Sequence, residues 1–216
     1  MPSRQKKILK KILITAGPTR EMLDPVRFLS NLSTGEMGYR LAKVAKSRGY
    51  DVTLISGPTA LKPPTGVRFI SIVSADQLKQ ACEKFFPKSD ALVMTAAVCD
   101  FTAAKKSVQK IRRTKTNHFL LKQTPDILAG LSKNKKHQIV IGFCLETEHW
   151  IENAVGKLRR KKLDGIVANY YTDKHVPFGD RKIHTAFIGK SEKPVHLKGV
   201  DKKVVSKRLI DWLESI

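Results

Sequence analysis

Residues 15–49 read TAGPTREMLDPVRFLSNLSTGEMGYRLAKVAKSRG, and this stretch decides the fold. The chain leaves the apolar strand ILIT (12–15), crosses a long polar loop and opens a helix at Ser33-Thr34-Gly35, along which Met37, Leu41, Val44 and Ala45 share one face. The first turn of such a helix carries backbone N–H groups without intrahelical partners, and these, with nearby hydroxyls, attract an anion. Gly17 ends the strand while Ser33, Thr34 and Gly35 open the helix. Loop and helix start are therefore expected to face one crevice and to form a phosphate site.

Outward from this unit, the runs VTLIS (52–56), VRFISI (67–72), ALVMTA (91–96), IVIGF (139–143), GIVAN (165–169) and HTAFI (184–188) read as strands of a buried, mainly parallel sheet. Ile151, Ala154, Val155 and Leu158 form a second helical face, and Val205, Leu209, Trp212 and Leu213 form a closing helix. The alternation predicts an α/β, Rossmann-like, doubly wound fold in a single domain spanning 1–216, with ligands beyond the carboxyl ends of the strands. Gly17–Thr19, Ala96–Phe101, Glu146, Thr147 and Asn169 fall at those ends. Two segments break the alternation, Thr102–Gln123, rich in Lys and Arg, and Tyr170–Lys182, and both are expected to be mobile covers.

Composition narrows the class. With 41% hydrophobic and 28% charged residues the chain is globular, and no apolar run approaches the ~20 residues of a membrane span. The start MPSRQKKILKK lacks the apolar segment of a signal peptide, so a cytoplasmic location is expected. Cys82, Cys99 and Cys144 are odd in number and lack CxxC spacing, which predicts reduced thiols in or near the core. The six histidines show no zinc spacing. The net charge of +22 is spread over Lys6–Lys11, Lys105–Lys115, Lys133–Lys136, Lys157–Lys162 and Lys202–Arg208, without the aromatic residues of a nucleic-acid stacking platform. Such a field gathers small anions, for instance a nucleoside triphosphate and a phosphorylated acid.

The dinucleotide fingerprint GxGxxG does not follow the first strand, where AGPTRE holds one glycine, and there is no GxxxxGK[ST]. A nicotinamide-dependent oxidoreductase thereby loses its main support. What remains is a nucleotide site made from a helix start, strand-end loops and lysines. On the residues alone, Asn31 is a turn residue or a site residue, and Lys110 in QKIRR (109–113) belongs to a solvated charge run or to a cover over phosphates. Asp100 is a strand-end carboxylate, and TPDIL (124–128) reads as a helix start with Pro125 in its first turn and Asp126 at the positive end of the dipole. Lys157 and Lys161 lie four residues apart beside an apolar helical stripe.

The blocks ITAGPTRE, LDPVRFLSN, STGEMGYRLA, AAVCDF, TPDIL and GFCLET stand in order between Ile12 and Phe187, and together they resemble the bacterial phosphopantothenate-cysteine ligases of coenzyme A biosynthesis. The resemblance implies that CTP and Mg²⁺ activate 4'-phosphopantothenate as an acyl-cytidylate, which cysteine then converts to an amide. It implies that Asn31 and Lys110 are catalytic and that Gly17, Ser33, Thr34, Gly35, Asp100, Lys110, Pro125, Asp126, Ile127, Leu128, Phe143, Lys157 and Lys161 line the nucleotide site. It leaves the metal ligands unassigned and implies a homodimer. Only about eleven residues precede the first strand, so a stand-alone ligase without a flavin domain is expected. Pro18 and Thr124 stand where the family has Gly and Asn, Arg112 and Arg113 replace lysines, Leu32 and Thr34 alter the helix-entry block, and Cys144-Leu145 replaces small residues. The rival readings are a Rossmann oxidoreductase and a basic nucleic-acid-binding module.

Overall fold

The protein is represented by a computed structural model that describes residues 9–113, 118–174, 176–190 and 193–216. Lys6 and Lys7 of the first basic cluster, and Lys115 with its neighbours 114–117 in the basic cover, lie outside the described residues.

The first half-unit has the strand, helix and strand of the reading, with a hairpin in place of the long polar loop. β1 (Lys11–Ala16) leads through a hairpin of β2 (Arg20–Met22) and β3 (Phe28–Ser30) to α1 (Glu36–Ser47), then to β4 (Asp51–Ser56) and β5 (Arg68–Ser71). Helix α2 (Ala75–Phe85) and a 3₁₀ turn at Phe86–Lys88 precede β6 (Ala91–Met94). A second hairpin, β7 (Phe101–Ala103) with β8 (Leu121–Gln123), is followed by α3 (Ile127–Lys133), β9 (Ile139–Glu146), α4 (Trp150–Arg160) and β10 (Gly165–Tyr170). The chain closes with β11 (Ile183–Gly189), β12 (Val195–Val200) and α5 (Lys202–Ser215).

Among the described residues eight strands make one sheet in the order β12-β11-β10-β9-β6-β1-β4-β5. The six strands from β5 to β10 are mutually parallel, and β11 and β12 extend the sheet in antiparallel pairings. Chain order reverses between β1 and β6, whose register is Ile12 to Ala91 through Thr15 to Met94. That reversal is the switch point at which doubly wound sheets open a crevice.

Both sheet faces are covered, which is why the central strands are apolar throughout rather than alternating. Ile12, Ile14, Leu54 and Val93 pack with Leu41 of α1 and with Val205 and Leu209 of α5. Leu13, Ile55, Leu92 and Val140 pack on the other face with Leu78, Leu128 and Leu158 of α2, α3 and α4. Each fully buried aliphatic side chain contributes about 1.5–3 kcal/mol relative to exposure.

Several boundaries differ from the sequence reading. Helix α1 starts at Glu36 behind a left-handed Gly35 (φ 81°) with no side-chain cap, two residues later than a Ser33 cap would place it; Ser33 Oγ instead accepts the Gly35 N–H at 3.3 Å. Asp126 caps α3, its carboxylate accepting the Ala129 N–H at 3.1 Å, so Pro125 precedes the helix instead of standing in its first turn. Besides the two hairpins, α2 and β12 go beyond the reading. Helix α2 carries a capping box between Ser74 and Gln77, and edge strand β12 is mostly exposed.

Candidate functional site

The crevice is built first by glycines. Gly17 turns the chain out of β1 at φ 71°. Its Cα lies 3.4 Å from where a Cβ on Gly35 would stand, so two residues eighteen apart in sequence touch. A Cβ on Gly38 would meet Ala16 Cβ at 2.5 Å and Thr95 Oγ1 at 2.6 Å. The tight turn, the close backbone approach and the close helix-to-strand packing are the three services of a dinucleotide-binding glycine fingerprint. Here Gly17 makes the turn, Gly17 and Gly35 bring two backbones together and Gly38 lets α1 pack on β1, with the β2–β3 hairpin inserted between the first and second. The linear motif is absent because the insertion separates its parts.

Pro18 forms a parallel bridge with Ala97. The hydrogen bonds of that bridge run from Thr19 N–H to Ala97 O (3.1 Å) and from Ala97 N–H to Gly17 O (2.9 Å). The pairing therefore makes no use of an N–H at position 18, and the proline is accommodated.

Asn31 is exposed at the end of the hairpin, and its amide Nδ2 donates to Ala97 O at 2.9 Å. Its side chain thus spans from the inserted hairpin to the loop after β6, at the switch point, instead of bonding its own turn. Buried Thr19 supports the same loop: its Oγ1 accepts the Cys99 N–H at 2.9 Å, and its carbonyl accepts the Ser30 hydroxyl at 2.8 Å. Thr124 donates from its hydroxyl to Cys99 O at 2.6 Å and from its N–H to Asp100 O at 2.9 Å, closing the base of the β7–β8 arm. Asp100 itself is exposed.

The arm returns to the β2–β3 hairpin. Asp24, buried, accepts the N–H groups of Val26 and Arg27 at 2.8 Å through Oδ1, and that of Ile111 at 3.1 Å through Oδ2. Burial opposes ionisation of this carboxyl, but the three amides and the Arg27 charge prevail and hold its pKa below the ordinary value. Lys110, next to Ile111, is exposed.

A second group of candidate residues gathers at the ends of β9 and α4. Lys157 Nζ meets Glu146 Oε1 at 2.5 Å, and Lys161 Nζ meets Asp126 Oδ1 at 2.9 Å. Both lysines are thus held on carboxylates at the crevice end of the sheet. Ile127 and Leu128 are buried in the core against α2 and α4. The Phe143 ring packs on the α1 and α5 side, the opposite sheet face from the core of α3 and α4, where Leu128 and Leu158 sit. The Phe143 ring, half-buried, thus shares its sheet face with α1. The glycine group at β1 and the lysine group at β9 flank β6, roughly 10 Å apart at ordinary strand spacing. Pro125 is exposed between α3 and the arm.

The segment Tyr170–Lys182 is fastened to α1. Arg40 pairs with Glu36 and with Asp180, and the Lys202 ammonium donates to Gly179 O. Burial lowers the pKa of Lys202, against the opposing charges of Glu36 and Asp180. Residue 175 within this segment lies outside the described residues.

All three cysteines are free and buried. Burial pushes the thiols of Cys82 and Cys144 up to about 12, so neither is a thiolate at neutral pH. Among the described residues no group of three or more His, Cys, Asp and Glu side chains could hold a metal ion. No described helix is long and apolar enough to cross a membrane.

Comparison with known proteins adds relatives to this geometry. The chain is 42% identical over 185 residues to a cysteine/cysteine sulfinic acid decarboxylase of an unknown prokaryotic organism, covering 84% of this chain and 52% of that one. It is 44% identical over 182 residues to the coenzyme A biosynthesis bifunctional protein CoaBC of Bacillus subtilis (strain 168), covering 83% of this chain and 45% of the relative. The chain therefore spans about half the length of the curated relatives it matches. A crystal structure of the C-terminal domain of CoaBC superposes with a TM-score of 0.82 at 38% identity, covering 95% of this chain and 94% of that one. The α/β architecture is shared with that domain, and the match to a family model extends past Phe187 through the last helix. By that match, over residues 8–216, the chain belongs to the DNA/pantothenate metabolism flavoprotein C-terminal domain family.

Proposed function

We propose that the chain is a phosphopantothenate-cysteine ligase that uses CTP. The observation that carries this reading is the Asn31 amide bonded to Ala97 at the switch point, beside a helix start cradled by Gly17, Gly35 and Gly38. A carboxylate is a poor electrophile and must be activated before an amine can displace its oxygen. In the first step a carboxylate oxygen of 4'-phosphopantothenate attacks the α-phosphorus of CTP, giving an acyl-cytidylate and pyrophosphate. In the second, the amine of cysteine attacks the acyl carbon, loses a proton and expels CMP.

The N-terminus of α1, with Ser33, Thr34 and Gly35, faces the negative charge of the phosphates. Lys110 reaches over them from the arm and offsets the charge that develops on departing pyrophosphate. Asn31 orients the acyl phosphate through hydrogen bonding without adding charge. Asp100, Pro125, Asp126 and the backbone at Ile127, Leu128 and Phe143 border the nucleoside, while Lys157 and Lys161 exchange a carboxylate partner for the nucleotide. Among the described residues no side chains build a metal cage, and Mg²⁺ would enter as the salt of the triphosphate, as it commonly does. Neither step changes an oxidation state, and the ligation needs no flavin.

The apolar surface favours a homodimer. Val26, Phe28 and Leu32 on the first hairpin and Val108, Phe119 and Leu120 on the arm are all exposed, a concentration that isolated soluble domains usually avoid. A cytoplasmic location fits a pathway that uses CTP and free cysteine. The test is mass spectrometry of the reaction with CTP, 4'-phosphopantothenate and cysteine. The amide product is expected without release of carbon dioxide, and decarboxylation of cysteine in its place would contradict the reading.

A further inference from the structure

The side chain of Asp24 is wholly buried, yet one of its amide partners comes from a segment 87 residues away. Oδ1 holds its own turn through Val26 and Arg27. Oδ2 holds the Ile111 N–H at 3.1 Å and lies 3.4 Å from Arg27 Nη1. That same Nη1 donates to Ile111 O at 3.1 Å, so both backbone groups of Ile111 are gripped by one ion pair. At the other end of the segment, Ser107 N–H donates to Leu23 O at 2.9 Å, and Ser107 Oγ donates to Gln109 O at 2.6 Å. The stretch 107–111 is thus tied at both ends to Leu23, Asp24 and Arg27, with exposed Lys110 in the held part.

A buried carboxylate is tolerated only while its acceptors are filled. If the arm lifted, Oδ2 would lose its amide donor, so filling of the buried charge is coupled to docking of the arm. The peptide whose N–H Asp24 holds is the one joining Lys110 to Ile111, which fixes the direction in which the Lys110 side chain leaves the backbone. The same hairpin carries Asn31 seven residues further on.

We propose that Asp24, acting with Arg27, is a positioning residue that clasps the basic arm and thereby sets Lys110 at the phosphates. This rests on the reading of Lys110 as the lysine that meets the nucleotide. The clasp itself does not depend on any activity, which allows the two to be tested separately.

The full chain is compared with Asp24→Asn and Arg27→Met, each checked for folding by thermal unfolding. Asp24→Asn keeps the shape but removes the charge and one acceptor, and Arg27→Met changes a half-exposed side chain. Trypsin cleavage after Lys105, Lys106, Lys110 and Arg112 is followed by mass spectrometry. Both variants are expected to be cut faster, Asp24→Asn by about tenfold, because cleavage follows the population of the lifted arm. Under the ligase reading, kcat for pyrophosphate release falls roughly 10- to 100-fold in Asp24→Asn while KM for CTP changes by less than about threefold, as expected for a misplaced group. In a Lys110→Ala background the same Asp24→Asn change adds no further loss of kcat, since it acts through that lysine.

Unchanged cleavage of the arm in folded Asp24→Asn would overturn the clasp, as would a loss fully additive with Lys110→Ala. If the parent chain shows no ligase activity, the proposed function fails while the cleavage rates still decide the clasp. If Asp24→Asn does not fold, the cleavage of Arg27→Met decides it.

Discussion

Asn31 and Lys110 are short-range signals whose meaning depends on where the chain brings them. Asn31 reaches Ala97 across 66 residues, and Lys110 is set by Ile111, whose carboxylate partner is 87 residues distant. Replacing Lys110 with Ala is expected to lower the rate of pyrophosphate release by about 10²–10³-fold with little change in folding, the usual cost of losing one charge-stabilising donor. Asn31→Ala is expected to slow amide formation by a similar factor, measured by adding cysteine to enzyme carrying the acyl-cytidylate. Full turnover in either folded variant would remove that residue from the mechanism. Both candidate residues were legible by resemblance, whereas their supports were not. Thr19 and Asp24 stand inside blocks of the resemblance, but their supporting roles were not legible because their partners Cys99 and Ile111 lie in distant loops. Ile127 and Leu128, which the resemblance implies for the nucleotide site, have side chains buried in the core.

Among the elements, α1 is held close to β1 at Gly38. Gly38→Ala would press a methyl group toward Ala16 Cβ and Thr95 Oγ1, which stand at 2.5 and 2.6 Å from that position. The expected cost is about 1–3 kcal/mol of stability, together with weaker CTP binding as the helix start moves off the strand. Denaturant unfolding and nucleotide titration check both parts, and a variant as stable as the parent would refute the close packing. The central strands were legible because a sheet covered on both faces is written as continuous apolar runs. Edge strand β12, VHLKGV, is mostly exposed, with only Leu197 and Val200 half-buried against the core, and lacks such a run. The dinucleotide-like glycine set was hidden for another reason: β2 and β3 separate Gly17 from Gly35 along the chain but not in space.

For the molecule as a whole, charge enters both stability and substrate capture. Asp164 joins α4 to β10 and accepts from Lys135 at 2.5 Å, Lys190 at 2.6 Å and the Val140 N–H at 2.9 Å. Burial opposes its ionisation, but these donors prevail and lower its pKa below the ordinary carboxylate value. Its contribution to stability is therefore fully present above the unfolded value of about 3.9 and is lost as pH falls through the folded one. Asp164→Asn is expected to cost about 1–3 kcal/mol at neutral pH, with the difference from the parent shrinking in acid when unfolding is followed against pH. A constant difference down to the acid limit would contradict this. The net charge of +22 should also make capture of the anionic substrates salt-sensitive, with kcat/KM for CTP falling as ionic strength rises. A flat salt profile would show that the field plays no part. The most direct test of the ligase reading is pyrophosphate release by the purified chain with Mg²⁺, 4'-phosphopantothenate and cysteine, comparing CTP with ATP and omitting each component in turn. Release with CTP that requires 4'-phosphopantothenate but not cysteine, followed by amide formation that does require cysteine, is the predicted result; silence with both nucleotides in folded protein would contradict it.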